Sequence, residues 1–181
     1  MKNGGEAMSA NLGTYFPNFS FRGFESSALS NKATMTCSLR TVRVKEGAVE
    51  ITFQFEDEEP NWLRALIRKF AHLMNLQSNW DSYGASPIEE KYVRFALTEL
   101  LPSIMEDETF LPEIVPTAKS SIQLEWHMCG IDLEVKVIAD GKVFISYEDL
   151  ETGEEFEEEM EGSFERLKNL INPRLFNLLR Q

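Results

Sequence analysis

Three consecutive runs between residues 122 and 147 alternate apolar and polar side chains, and turn residues separate them. Ile122, Leu124, Trp126 and Met128 alternate with Gln123, Glu125 and His127. Ile131, Leu133, Val135 and Val137 alternate with Asp132, Glu134 and Lys136, and Val143, Ile145 and Tyr147 continue the pattern. Alternation of this kind belongs to strands with one buried and one solvated face. Cys129-Gly130, Asp140-Gly141 and Thr152-Gly153 supply the turns, Asp-Gly being a strong hairpin signal. Glu154 to Met160 can return as a fourth strand. Turns and period together predict an antiparallel meander over residues 120–160.

The rest of the chain supplies what such a sheet must pack against. Trp62, Leu63, Leu66, Ile67, Phe70, Leu73 and Met74 recur at helical spacing and predict a helix over 59–76. Ser86, Pro87 and Glu89 read as N-cap, N1 and N3 of a capping box. The helix that would follow carries Tyr92, Phe95, Ala96, Leu100 and Ile104, with Pro102 expected to bend or end it. Thr34 to Val44 and Val49 to Phe55 read as two strands joined by a hairpin at Lys45-Glu46-Gly47. Ser163 can cap a C-terminal helix that Asn172-Pro173 should break and restart. The expected fold class is α+β: an antiparallel β-sheet covered by two central helices and a C-terminal helix. Residues 1–33, with Tyr15, Phe16, Phe19, Phe21 and Phe24, read as a flexible or docked aromatic arm before a single domain over 34–181.

Charge narrows the function classes. The chain of 181 residues carries a formal net charge of −12. Residues 106–161 alone hold 17 acidic and 3 basic residues, while both ends are mildly basic. Such a balance argues against a general nucleic-acid binder, because attraction to phosphate supplies most of that affinity. No apolar run approaches the ~20 residues that span a bilayer. Two cysteines, Cys37 and Cys129, are too few for a disulfide framework or a cysteine-rich zinc site, and their usage fits a reducing cytoplasm. P-loop, dinucleotide and zinc-protease signatures are absent, and no cofactor is implied.

Three places carry candidate chemistry. From Glu148 to Glu161, nine of fourteen residues are carboxylates and none is Lys or Arg. Glu148, Asp149, Glu151, Glu154, Glu155, Glu157, Glu158 and Glu159 form the expected partner-binding surface. Either a solvated sheet edge or a surface for a basic partner accounts for them. The loop of Asn79 to Pro87 concentrates Trp80, Asp81, Ser82 and Tyr83. Asp81 can close an Asx turn and Gly84 can take a positive φ. That loop is either a helix–helix connector or a binding loop, and no base for Ser82 is in sight. Glu125 and His127 share one strand face, with Glu134 across the hairpin; a solvated face, an acid–base group and a weak metal signal compete there, and no metal is assigned.

Trp80-Asp81-Ser82-Tyr83-Gly84-Ala85, Pro87-Ile88, Pro112-Glu113-Ile114-Val115-Pro116 and Leu124-Glu125-Trp126 resemble a pattern in small uncharacterised bacterial proteins. The resemblance covers about residues 62–145 and implies a loop, a helix, a proline-flanked segment and a strand hairpin, without implying an activity. Where that pattern has a glycine pair before the Leu-Glu-Trp strand, this chain has Ser120-Ser121.

The leading expectation is a non-enzymatic interaction module whose acidic surface meets a protein with a basic surface. An inhibitor of a nucleic-acid-handling complex, in an anti-defence or toxin-neutralising context, is its concrete form. An enzyme or small-ligand binder using the 79–87 loop is one alternative, and a homodimeric scaffold that swaps the arm or the last helix is another. Neither direct nucleic-acid binding nor a membrane is expected.

Overall fold

A computed structural model of the chain describes residues 18–22, 40–55, 58–107, 109–128, 130–139 and 141–178. The fold is α+β. The meander forms as its alternation requires. Strands β5 (Ile122–Met128), β6 (Ile131–Ala139), β7 (Lys142–Asp149) and β8 (Glu154–Glu161) pair antiparallel in chain order. A short strand, β4 (Glu113–Pro116), adds to the β5 edge and makes five. Pro116 sits at the end of this edge strand, where a missing N–H costs least.

A second, three-stranded antiparallel sheet has the order β1 (Asn18–Arg22), β3 (Val49–Phe55), β2 (Arg40–Glu46). Of the flexible or docked arm expected over residues 1–33, residues 18–22 are described, and they dock as a strand. Their backbone pairs with β3, with Phe19 opposite Phe53 and Phe21 opposite Ile51. Tyr15, Phe16, Phe24, Cys37 and Cys129 lie outside the described residues, as does the start of the strand expected from Thr34.

Helix α1 (Leu63–Leu73) packs on β2 and β3 and reaches β4. It buries Leu63, Leu66, Ile67, Phe70 and Leu73 and exposes Arg64, Arg68, Lys69 and His72. Asn75, just past its end, holds the β2–β3 turn: Nδ2 donates to Glu46 O at 2.6 Å and Oδ1 accepts from Ala48 N at 3.2 Å.

Helix α2 (Glu90–Phe95) begins later than the capping box requires. Glu89, not Ser86, is the N-cap, and no side chain caps it. The preceding backbone is extended instead; Ala85 and Ile88 are buried and the Glu89 N–H donates to Ser120 O at 2.8 Å. A π-helical turn, Ala96–Leu100, leads into α3 (Leu101–Ile104), and Pro102 ends nothing. Proline offers no N–H to the carbonyl four residues back, and its ring crowds that group. Widening the turn before it, seen where the Leu101 N–H donates to Ala96 O, lets the helix run on to Ile104. Helix α4 (Glu165–Leu178) likewise passes through Asn172-Pro173 without the expected break.

One face of the five-stranded sheet meets these helices. Ile122, Leu124 and Trp126, Leu133, Val135 and Val137, and Val143, Ile145 and Tyr147 are all buried there, in one core with residues of all the helices. Full burial of one such side chain contributes about 1.5–3 kcal/mol. Trp126 keeps its indole donor satisfied in this core, Nε1 donating to Phe110 O at 2.9 Å. The opposite face of the sheet carries the candidate site. No helix among the described residues is long and apolar enough to cross a membrane.

Candidate functional site

Side chains alternate across a strand, so one phase of each strand in the meander must point away from the core. Register then decides which of those outward residues become neighbours. Glu113 on β4 faces Glu125 on β5, Glu125 faces Glu134 on β6, Glu134 faces Ser146 on β7, and Ser146 faces Glu157 on β8. The next row runs His127, Asp132, Glu148, Glu155. Glu159 and Glu161 extend the β8 column opposite Phe144 and Lys142. Nine carboxylates thus share the outer face with Lys136, Lys142 and one histidine. Like charges directly opposite one another destabilise a sheet, and Glu113–Glu125, Glu125–Glu134, Asp132–Glu148 and Glu148–Glu155 are four such pairs.

Some of this repulsion is relieved locally. Gln123 Nε2 donates to Glu125 Oε1 and to Glu134 Oε2, both at 2.9 Å, and so sits between the two carboxylates. His127 bridges the next gap: Nε2 lies 3.0 Å from Glu125 Oε2 and Nδ1 lies 2.8 Å from Asp132 Oδ1. The hydrogen bond to Glu125, aided by Asp132, raises the His127 pKa above its ordinary value of 6.5 against a partial desolvation. Lys142 Nζ meets Glu159 at 2.5 Å, which raises its pKa in turn. Glu148 and Glu155 have no ion pair among the described residues. With Ser146 and Glu157 they line an open depression of about 400 Å³.

The acidic run is not presented as a block. Glu148, Glu155, Glu157 and Glu159 lie on the outer face, Glu151 lies in the exposed β7–β8 turn, and Glu154 is exposed at the start of β8. Two expected members are corrected. Asp149 is fully buried. It holds the turn, accepting from Glu151 N at 3.0 Å, Thr152 N at 3.3 Å and Thr152 Oγ1 at 2.7 Å, and is unavailable to a partner. Glu158 is half-buried in the core-facing phase and ion-pairs with Arg166 of α4 at 2.5 Å. Phe156 shares that phase, stacking on Tyr147 at 5.0 Å with the Arg166 guanidinium over its ring at 4.4 Å. It is a core-edge residue. Glu113, Asp132 and Glu161 join the face without having been expected in it. Glu161 and Asp132 continue the alternation of their strands, but only the strand pairing brings Glu113 there.

The 79–87 loop spends its polar groups on itself. Asp81 Oδ1 accepts from Tyr83 N at 2.8 Å and Ala85 N at 3.0 Å, closing the expected Asx turn. These backbone donors, Ala85 foremost, hold the Asp81 carboxyl below its ordinary pKa of 3.8. Asn79 Oδ1 accepts from Gly84 N, the Asn79 N–H donates to Ala85 O, and Trp80 Nε1 donates to Ser86 O. Asn79 and Ser82 take φ of 66° and Gly84 takes 94°, a region that glycine and asparagine tolerate best. The Tyr83 ring projects, 94% exposed. A groove of about 460 Å³ lies elsewhere, between Arg68, Lys69 and His72 of α1 and Glu113 of β4. Neither depression is lined by a residue of the loop, so no cleft described here converges on Asp81 or Tyr83.

Comparison of the chain with protein-family models, curated proteins and solved structures yields no match.

Proposed function

We propose that the protein is a non-enzymatic interaction module that binds a basic protein surface through the outer face of its five-stranded sheet. The register carries this reading. Four carboxylate pairs stand directly opposite one another on adjacent strands, an arrangement that costs stability and that folding alone does not require. A partner bearing Lys and Arg would relieve that repulsion on binding, would be steered by the field, and would be salt-sensitive. Carboxylates repeating along β8 at every second residue, about 6.8 Å apart, offer a regular row of negative charge. This regularity favours, among basic partners, a protein that otherwise holds the phosphates of a nucleic acid. The concrete form of the proposal is an inhibitor of such a protein acting in the cytoplasm. The resemblance to small bacterial proteins belongs to the same proposal and suggests a bacterial or phage setting.

The test is affinity capture from a bacterial lysate at about 50 mM and about 200 mM salt, using the wild type and a triple variant with Glu148→Lys, Glu155→Lys and Glu157→Lys. The expected result is a discrete nucleic-acid-binding protein retained by the wild type, released by added duplex DNA and by salt, and absent with the variant. Capture that ignores both the charge reversal and the DNA would overturn the reading.

A further inference from the structure

The outer face holds one group of side chains that a uniform acidic surface does not account for. Glu125, His127 and Glu134 place three potential ligand atoms, one from each residue, within 4.8 Å of one another. Two come from β5, two residues apart on the same face, and the third comes from the position on β6 opposite Glu125. The hairpin fixes all three backbones. No lysine or arginine contacts either glutamate among the described residues. The Gln123 amide donates one N–H to each of the two carboxylates.

The histidine separates this group from a plain acidic cluster. Asp132 Oδ1 lies 2.8 Å from Nδ1 of the ring. The ring stands between two carboxylates, with Nε2 3.0 Å from Glu125 Oε2. A proton on Nε2 bridges the two groups, and a metal ion can displace that proton to take Nε2 and the carboxylate as ligands. A carboxylate on the far nitrogen is also the usual outer support of a metal-bound histidine, since it fixes the tautomer and orients the ring.

We infer that Glu125, His127 and Glu134 form a binding site for a divalent transition-metal ion of the zinc type, with Asp132 as the positioning residue. Bonds of about 2.0–2.2 Å at tetrahedral angles put neighbouring ligand atoms about 3.4 Å apart. The present separations reach that value by small side-chain rotations, with Gln123 releasing the glutamates as the ion enters. Mixed imidazole and carboxylate donors select zinc-like ions over magnesium or calcium, which favour oxygen alone. Three protein ligands on an open sheet face leave one position for water. The inference does not depend on the proposed partner, because the ligand set is a property of the isolated chain.

The experiment is a titration of the full chain with Zn2+ in a large excess of Mg2+, which occupies diffuse acidic sites. One saturable equivalent is expected. His127→Gln and Glu134→Gln should each weaken it by at least about tenfold, Asp132→Asn by about ten- to a hundredfold, and Glu157→Gln, on the same face outside the group, should leave it unchanged. Imidazole NMR signals of the wild type give a readout that needs no variant: His127 should shift on adding Zn2+ and His72 should not. Absence of saturable binding, binding that survives in both His127→Gln and Glu134→Gln, or a shift confined to His72 would overturn the assignment.

Discussion

The 79–87 loop and the outer face of the five-stranded sheet are both rich in polar groups, and they use them in opposite ways. In the loop, Asp81, Asn79 and Trp80 each bond to backbone within the same nine residues. Those bonds offset the cost of positive φ at Asn79 and Ser82. On the sheet, carboxylates face carboxylates, with Gln123, His127 and Lys142 intervening among the described residues. One region's polarity is accounted for by folding; the other's leaves an unbalanced charge. The lesson is to ask of a polar cluster whether its own backbone has already used it. Asp149 makes the same point inside the acidic run, since it belongs with the loop in behaviour and with the sheet only in sequence.

Substitutions can break this comparison. The largest effect is expected at Asp149→Ala, where a fully buried carboxylate with three described hydrogen bonds is removed. Its loss should cost about 3 kcal/mol in urea unfolding. A cost near that of an exposed glutamate would mean that Asp149 is part of the surface after all.

Asp81→Ala should destabilise less, and with a distinctive pH dependence. The folded pKa lies below the ordinary 3.8. The ionised carboxylate therefore contributes stability above that value, and the contribution disappears as pH falls through the lower folded pKa. Thermal melts of wild type and variant should converge toward the acid end and separate as pH rises past about 4. A constant gap across that range would remove the backbone bonds as the role of Asp81.

Smaller effects of opposite sign are expected on the sheet. Glu155→Gln removes one partner of the Glu148–Glu155 pair and should stabilise by about 0.2–1 kcal/mol at low salt, less at high salt. A loss of stability would mean that the carboxylate has a structural partner. Smallest of all, Tyr83→Ala should change stability by less than about 0.5 kcal/mol, its ring being 94% exposed. A larger loss would return that ring to the core.

Much of this was legible before the fold was known, where the cause is local. Alternation marked β5 to β7, and the Asx turn was readable from Asp81 and the loop's composition. The phase of β7 even carried the correction at Asp149: Val143, Ile145 and Tyr147 are buried, and two residues on the same face must follow. Glu158, between Phe156 and Met160, lies in the inward phase for the same reason. The capping box at Ser86 misled because tertiary burial of Ala85 and Ile88 outweighed a local cap. Pro102 is accommodated by the π-helical turn before it, and Pro173 misled because a proline's local preference does not by itself end a helix.

The amino-acid sequence by itself determined strands β3 and β5 to β8, the turns between them, their two faces and the concentration of acid in one third of the chain. These follow from Cβ direction and turn chemistry over a few residues. Tertiary structure alone decided that Glu113 joins the row of Glu125 and Glu134 and that His127 lies between Glu125 and Asp132. Register is a relation between strands, set by which residues the shared core buries, and a single strand does not contain it.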